Sequence, residues 1–146
     1  MDTKRIEGIL LTPLKQIFHP QGDVFHAMKK SDAGFAGFGE AYFSTVRQNE
    51  IKAWKKHTQM TLNLIVPLGK IRFVAWDDRE GSSTRGCFNE FVLSPQNYAR
   101  LTIPPMIWLA FEGIDDNNLL LNIANLEHLA TEAERKTLAE ILYQWE

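Results

Sequence analysis

Between Thr61 and Trp76 the apolar residues recur at every second position. In TLNLIVPL, residues 61–68, Leu62, Leu64, Val66 and Leu68 share one face, the spacing of a strand half-buried on a core. Gly69-Lys70 supplies a turn. IRFVAW then resumes the alternation, with Ile71, Phe73 and Ala75 set against Arg72, Val74 and Trp76. Pro67 has no amide hydrogen, which predicts an edge or a bulge at that end of the first strand. An α-helix has no use for a two-residue period, so this hairpin restricts the chain to sheet-based folds.

The same rhythm continues on both sides. CFNEFVLS (residues 87–94, stopped by Pro95), ARLTIP (99–104) and NLLLNIA (118–124) read as further short strands, and DDREGSSTRG (77–86) reads as a loop. Upstream, Gly34, Gly37 and Gly39 predict tight turns leading into a strand over residues 40–46. They do not form a phosphate loop, because no Gly-Lys-Ser/Thr follows and no strand-to-helix switch is visible. Many short, closely spaced strands predict a sandwich, jelly roll or barrel rather than a βαβ fold. Only the C-terminus reads as helix, over about residues 131–145. Thr131 and Glu134 match a capping box, Leu138, Ile141, Leu142 and Trp145 recur at helical spacing, and Glu132 with Lys136 makes an i,i+4 pair on the wet side.

With 146 residues the chain suits one domain with one core, the barrel occupying about residues 10–127. A net charge of −2 with both signs interspersed offers no footprint for nucleic acid or an acidic membrane. The single cysteine, Cys87, excludes an intrachain disulfide framework and suits a reducing compartment. The apolar cluster Ile9–Leu11 is cut short by Pro13 and Lys15, so neither a signal peptide nor a spanning helix is expected, and the cytoplasm is the expected location. His19, His26 and His128 read as surface or structural histidines. No metal or other cofactor is expected.

The chemically unusual stretch is IKAWKKHTQ, residues 51–59. As a strand it sends Lys55, His57 and Gln59 to one face and Trp54, Lys56 and Thr58 to the other. A lysine facing inward beside a histidine is costly without an anionic partner or a chemical task. The alternation alone also allows a solvated strand end, with His57 held by a nearby hydrogen bond.

From Lys52 to Pro105 the order of motifs resembles the sugar-nucleotide cupins, the dTDP-4-dehydrorhamnose 3,5-epimerases and the dTDP-sugar 3,4-ketoisomerases. Their R-G-x-H-x-H or R-G-x-H-x-Q strand is similar to Lys52-Ala53-Trp54-Lys55-Lys56-His57. Their Gly-to-D-x-R segment matches Gly69 through Asp78-Arg79, and their S-x-T-x-G loop matches Ser82–Gly86. The Leu-Ser-x-x-Asn turn matches Leu93–Asn97, and the I-P-x-G-x-x-H-G-F strand matches Ile103–Phe111. HPQGDV at residues 19–24 is similar to the family's D-x-R-G-x-F opening, with Gln21 in place of the arginine. The resemblance covers roughly residues 10–135.

The resemblance implies an all-β cupin jelly-roll barrel and chemistry on a nucleotide-linked 4-keto-hexose, a proton being removed α to the ketone. It places Lys55 where the epimerases carry their basic histidine, His57 at the second histidine of the ketoisomerases, and Tyr42 at the tyrosine that lines their site. Lys52 stands for the phosphate-holding arginine. Leu109 replaces the H-G-F histidine, and Asn122 falls near the epimerases' general-acid tyrosine. These replacements argue against the standard double-epimerase His/Tyr pair. Lys55, His57 and Tyr42 are therefore the candidate catalytic residues, and Lys52, Arg72, Gln59, Trp54 and Asn122 the candidate substrate contacts, with Lys70 a further phosphate contact. A non-catalytic sugar-binding barrel, with Trp54, Trp76 and Trp108 as stacking faces, is the other reading. The family also implies a homodimer exchanging an N-terminal strand, for which residues 6–18 are apolar enough; a strand within the same barrel is the alternative.

Overall fold

A computed structural model describes residues 4–146. One five-stranded antiparallel sheet runs in the order β1 (Leu10–Pro13), β9 (Ala99–Ile103), β6 (Leu62–Leu68), β11 (Leu119–Ala124) and β4 (Glu40–Thr45). The second runs β12 (Ala133–Arg135), β5 (Ile51–His57), β10 (Trp108–Gly113), β7 (Ile71–Trp76) and β8 (Phe88–Leu93). A separate hairpin joins β2 (Gln16–Ile17) to β3 (Val24–Phe25). This is the expected all-β jelly roll. β1 pairs with β9 of its own chain.

The two-residue period explains the layers. Leu62, Leu64, Val66, Ile71, Phe73 and Ala75 enter the core between the sheets, while Val74 points to the opposite face, into a second cluster with Trp54, Trp108, Ala110 and Ile141. Where the period breaks, a bulge is the cause. Leu119 faces Leu68 and Leu121 faces Ile65, so Val66 and Pro67 together oppose Leu120. The bulge forms at the residue that cannot donate to the ladder. Beyond it Leu68 is turned out to solvent, 54% exposed, and leaves the face that strict alternation assigns to it.

The expected C-terminal α-helix is absent. A 3₁₀ turn, Ala130–Glu132, leads into β12, which pairs with β5 in the register Ala133–His57, Glu134–Lys56 and Arg135–Lys55. Lys136 and Trp54 then exchange both backbone hydrogen bonds at 3.0 Å. After a second 3₁₀ turn, Leu138–Glu140, the tail is extended: Ile141 is buried, Tyr143 and Trp145 pack against the same outer cluster, and Leu142 is 84% exposed. The apolar residues thus follow the period of two in 141, 143 and 145, not the helical spacing. Helix propensity is a weak prior, and covering the open edge of β5 satisfies backbone groups that a helix would leave bare. Glu132, read from sequence as half of a wet ion pair with Lys136, is 5% exposed.

Met106 has φ +72° and stands where the resembled I-P-x-G strand carries glycine. A side chain at that φ costs about 1–2 kcal/mol, while glycine loses about 0.5–1 kcal/mol of unfolded-chain entropy. Met106→Gly is therefore expected to raise stability by up to about 1 kcal/mol in urea denaturation; a clear loss would show that the exposed Met106 side chain makes contacts that matter.

Candidate active site

A cavity of about 210 Å³ opens between the sheets. Its apolar wall comes from Leu62 and Leu64 on β6, Leu109 and Phe111 on β10, and Leu120 on β11. Its polar groups are Tyr42 on β4, Lys52, Lys55 and His57 on β5, Asn122 on β11 and Arg135 on β12.

A second bulge assembles this set. Leu109 faces Lys55 but Phe111 faces Lys52, so Ala53 and Trp54 share the single position opposite Ala110. Strict alternation would put Lys52 on the side of Trp54 and Lys56. The extra residue resets the phase, and Lys52, Lys55 and His57 all line the cavity. Lys52 lies at the exposed end of the strand, where its Nζ donates to the Thr45 carbonyl at 2.7 Å and sits 6.0 Å from the Phe111 ring centroid.

His57 is 8% exposed, and its Nδ1 lies 2.7 Å from Glu132 Oε1. The other carboxylate oxygen of Glu132 accepts the backbone amides of Gln59 at 3.0 Å and Met60 at 2.9 Å. Burial pushes the Glu132 carboxyl up, but the bonds from His57 and the two amides outweigh it and hold it below the ordinary carboxylate value. Burial pushes the His57 imidazole below its ordinary value, aided by Lys55 and His128, against the pull of Glu132. A neutral imidazole and an ionised carboxylate fix the tautomer: Nδ1–H donates to Glu132, and Nε2 keeps a lone pair for a proton.

Lys55 is half-buried on the same face. Burial first, and the Arg135 guanidinium second, lower its pKa from the ordinary lysine value, with Glu132 opposing. Across the cavity Asn122 Nδ2 donates to the Tyr42 hydroxyl at 3.1 Å, which leaves the hydroxyl proton free to donate. Asn122 is 2% exposed and its Oδ1 is unpartnered.

The structure therefore brings Lys55, His57, Tyr42, Lys52 and Asn122 together at one cavity. Trp54 contributes to the wall, but its ring is fully buried in the outer cluster with Trp108. Trp76 packs there too, stacked on Phe88 with centroids 5.8 Å apart. Arg72 lies outside the cavity, held by Glu112 through Nε at 3.1 Å and by Glu90 at 3.7 Å. Gln59 is exposed and reaches the site only through its amide, and Lys70 donates its amide to Asn118. His19 and His128 are exposed, and Gln21 sits beside β2 and β3 with its amide on His19. Among the described residues no cluster of three or more His, Cys, Asp or Glu is placed to hold a metal ion.

Sequence reasoning missed Glu132 and Arg135. Glu132 lies 75 positions from His57, and Arg135 reaches the cavity only because β12 pairs with β5. The one local signal for either was the alternation of Ile141, Tyr143 and Trp145, which reads the tail as extended.

No protein-family model matches the sequence. The crystal structure of a dTDP sugar isomerase from Desulfovibrio desulfuricans G20 superimposes with a TM-score of 0.92 at 38% identity, covering 96% of this chain and 92% of that one. A dTDP-4-dehydrorhamnose 3,5-epimerase from Sulfolobus tokodaii, at 20% identity, shares the fold with a TM-score of 0.83 over 97% of this chain and 85% of its own. Among curated proteins, the probable low-salt glycan biosynthesis epimerase Agl13 of Haloferax volcanii is 32% identical over 84 residues, 56% of this chain. That match spans 54% of Agl13, about half its length.

Proposed function

The chain belongs to the family of dTDP-sugar isomerases and dTDP-4-dehydrorhamnose 3,5-epimerases, and on that premise we propose that it is an epimerase or isomerase acting on a dTDP-4-keto-6-deoxyhexose in the making of surface glycans. The observation that carries this is the His57–Glu132 pair: a neutral imidazole oriented by a buried carboxylate, with Nε2 free at an apolar cavity.

In this reading His57 Nε2 removes the proton α to the sugar ketone. The electron pair moves toward the former carbonyl group, which faces Lys55 and the free proton of Tyr42. Returning a proton to the same carbon from the other face inverts it; returning one to the neighbouring carbon moves the ketone. Lys52, at the open rim, supplies positive charge for the nucleotide phosphates, as a point charge rather than a bidentate fork. The protein is proposed to work in the cytoplasm as a homodimer, for which the exposed Ile17, Phe18 and Val24 on and beside the β2–β3 hairpin supply an apolar face. Sedimentation would show a monomer if that is wrong.

The test is solvent deuterium incorporation into dTDP-4-keto-6-deoxyglucose, followed by mass and NMR. Incorporation at the carbon next to the ketone is expected; saturable binding with no incorporation would support a sugar-binding barrel instead. The pH dependence follows from His57. It acts unprotonated, and its pKa lies below the ordinary 6.5. The rate should therefore hold through neutral pH and fall on the acid side only below about 6.5. A fall that begins above pH 7 would count against His57 as the base.

A further inference from the structure

We propose that Lys55 captures the ketone of the substrate as a Schiff base, so that the site inverts a neighbouring carbon through an iminium and an enamine. This rests on the keto-sugar reading above and deepens it. Lys55 sits in mid-strand between Leu109 of β10 and Arg135 of β12 and lines a cavity whose other walls are largely leucine and phenylalanine. Among the described residues its ammonium makes no hydrogen bond or ion pair, whereas its two neighbouring lysines are engaged. Lys52 is held by the Thr45 carbonyl, and Lys56 by Asp78 and Glu134 at 3.9 and 3.6 Å. The nearby carboxylate, Glu132, is committed to His57 and two amides. A lysine desolvated in an apolar pocket beside another cation is the arrangement that yields a neutral, nucleophilic amine, and the direction of its pKa agrees.

The steps balance without any other reagent. The Nζ lone pair forms a C–N bond to the carbonyl carbon, and the resulting carbinolamine loses water to give the iminium. His57 Nε2 takes the proton from the adjacent carbon, and that C–H electron pair forms the enamine double bond as the iminium π pair returns to nitrogen. The Tyr42 hydroxyl, on the opposite sheet, gives its proton to the same carbon from the other face and restores the iminium with inverted configuration; His57 then loses its proton to solvent and Tyr42 regains one. Water then adds, the C–N bond breaks, and ketone and amine are released. Moving the ketone would instead protonate the carbon that bears nitrogen, leaving a secondary amine that water cannot cleave. The inference therefore selects epimerisation over keto transposition.

The experiment incubates the full-length protein with dTDP-4-keto-6-deoxyglucose and sodium cyanoborohydride, which reduces iminium ions. Intact mass and peptide mapping locate any adduct, and deuterium incorporation is measured in parallel without hydride. The expected result is a hydride-dependent adduct of substrate minus water plus two hydrogens on the Lys55 peptide, suppressed by excess dTDP. Lys55→Arg, which keeps the charge, should abolish the adduct and lower incorporation at least about 10²-fold with an unchanged melting temperature. Incorporation without an adduct, or full incorporation by Lys55→Arg, overturns the Schiff base while leaving the keto-sugar reading intact. Neither incorporation nor adduct overturns the keto-sugar reading, and the Schiff base with it.

Discussion

His57→Gln is expected to lower deuterium incorporation into a dTDP-4-keto-6-deoxyhexose by about 10²–10⁴-fold, the usual worth of a positioned general base, with little loss of stability. Glutamine retains an N–H that can donate to Glu132, so the buried carboxylate keeps a donor beside the amides of Gln59 and Met60. What it lacks is a basic nitrogen. Stopped assays over a range of substrate concentrations should show the loss in kcat rather than KM, because a base acts on the transition state more than on the bound ground state. Retained incorporation would remove His57 from the chemistry. Glu132→Gln separates positioning from catalysis. The carboxylate raises the His57 pKa, so its removal should carry the acid limb of the pH profile to still lower pH while the plateau rate falls. A purely structural Glu132 would change stability and leave that limb in place.

The largest effect on stability is expected at Asp77. Its carboxylate is fully buried and accepts from Arg79 Nε at 2.9 Å and Nη2 at 3.0 Å, Ser82 Oγ at 2.6 Å, Thr84 Oγ1 at 2.7 Å and the Arg79 amide at 3.0 Å. The same knot holds the N-terminus, since Arg79 also donates to the Glu7 carbonyl and Thr84 Oγ1 accepts the Glu7 amide. Asp77→Ala strips the knot of its acceptor, leaving Arg79 without its carboxylate and with the Glu7 carbonyl and Ser82 as its remaining partners, and the two hydroxyls with little but each other, a change worth about 3 kcal/mol. Urea denaturation at pH 7 measures it; a loss under about 1 kcal/mol would mean that the loop relaxes to water at little cost. The pH dependence has a definite sign. Although burial raises it, the bonds from Arg79, Ser82 and Thr84 hold the Asp77 carboxyl well below the usual carboxylate range. The unfolded chain therefore takes up its proton first as pH falls, so this stabilisation is full above about pH 4 and declines progressively below it. The Asp77→Ala variant should show a shallower acid-side loss than the unaltered protein.

Loop 77–86 was readable from composition, but the knot inside it was not. Asp77, Ser82 and Thr84 looked like ordinary turn residues, and nothing local marks which of them is buried. The active-site strand shows the same limit from another side. Alternation puts Lys55 and His57 on one face, as found, but extended to Lys52 it would turn that lysine away from the cavity it lines, because a bulge is a property of two strands and is invisible in either one alone. Arg72, expected as a phosphate contact, alternates with Val74 on the outer face, and partners on β8 and β10 hold it there, outside the cavity.

What the sequence determined by itself is the sheet: two-residue alternation of facing in residues 62–66 and 71–75, although both faces of residues 62–66 are buried, a turn at Gly69, a break at Pro67, and a strand carrying Lys55 and His57 on one face. These follow from backbone geometry within a few residues, and pairing with distant strands alters the alternation only where it inserts a bulge, as at Val66-Pro67 and Ala53-Trp54. Only the tertiary structure decided the C-terminus and, with it, the site. Residues 131–145 satisfied helical spacing, but the open edge of β5 offered backbone bonds and an apolar face that an isolated helix of that length cannot match. Pairing with that edge converts the segment into β12 and an extended tail. It buries Glu132 against His57 and sets Arg135 beside Lys55. The proposed base, the carboxylate that orients it and the lysine's neighbouring cation are thus joined by strand pairing across some 75 positions of chain, a coupling to which local pattern is blind.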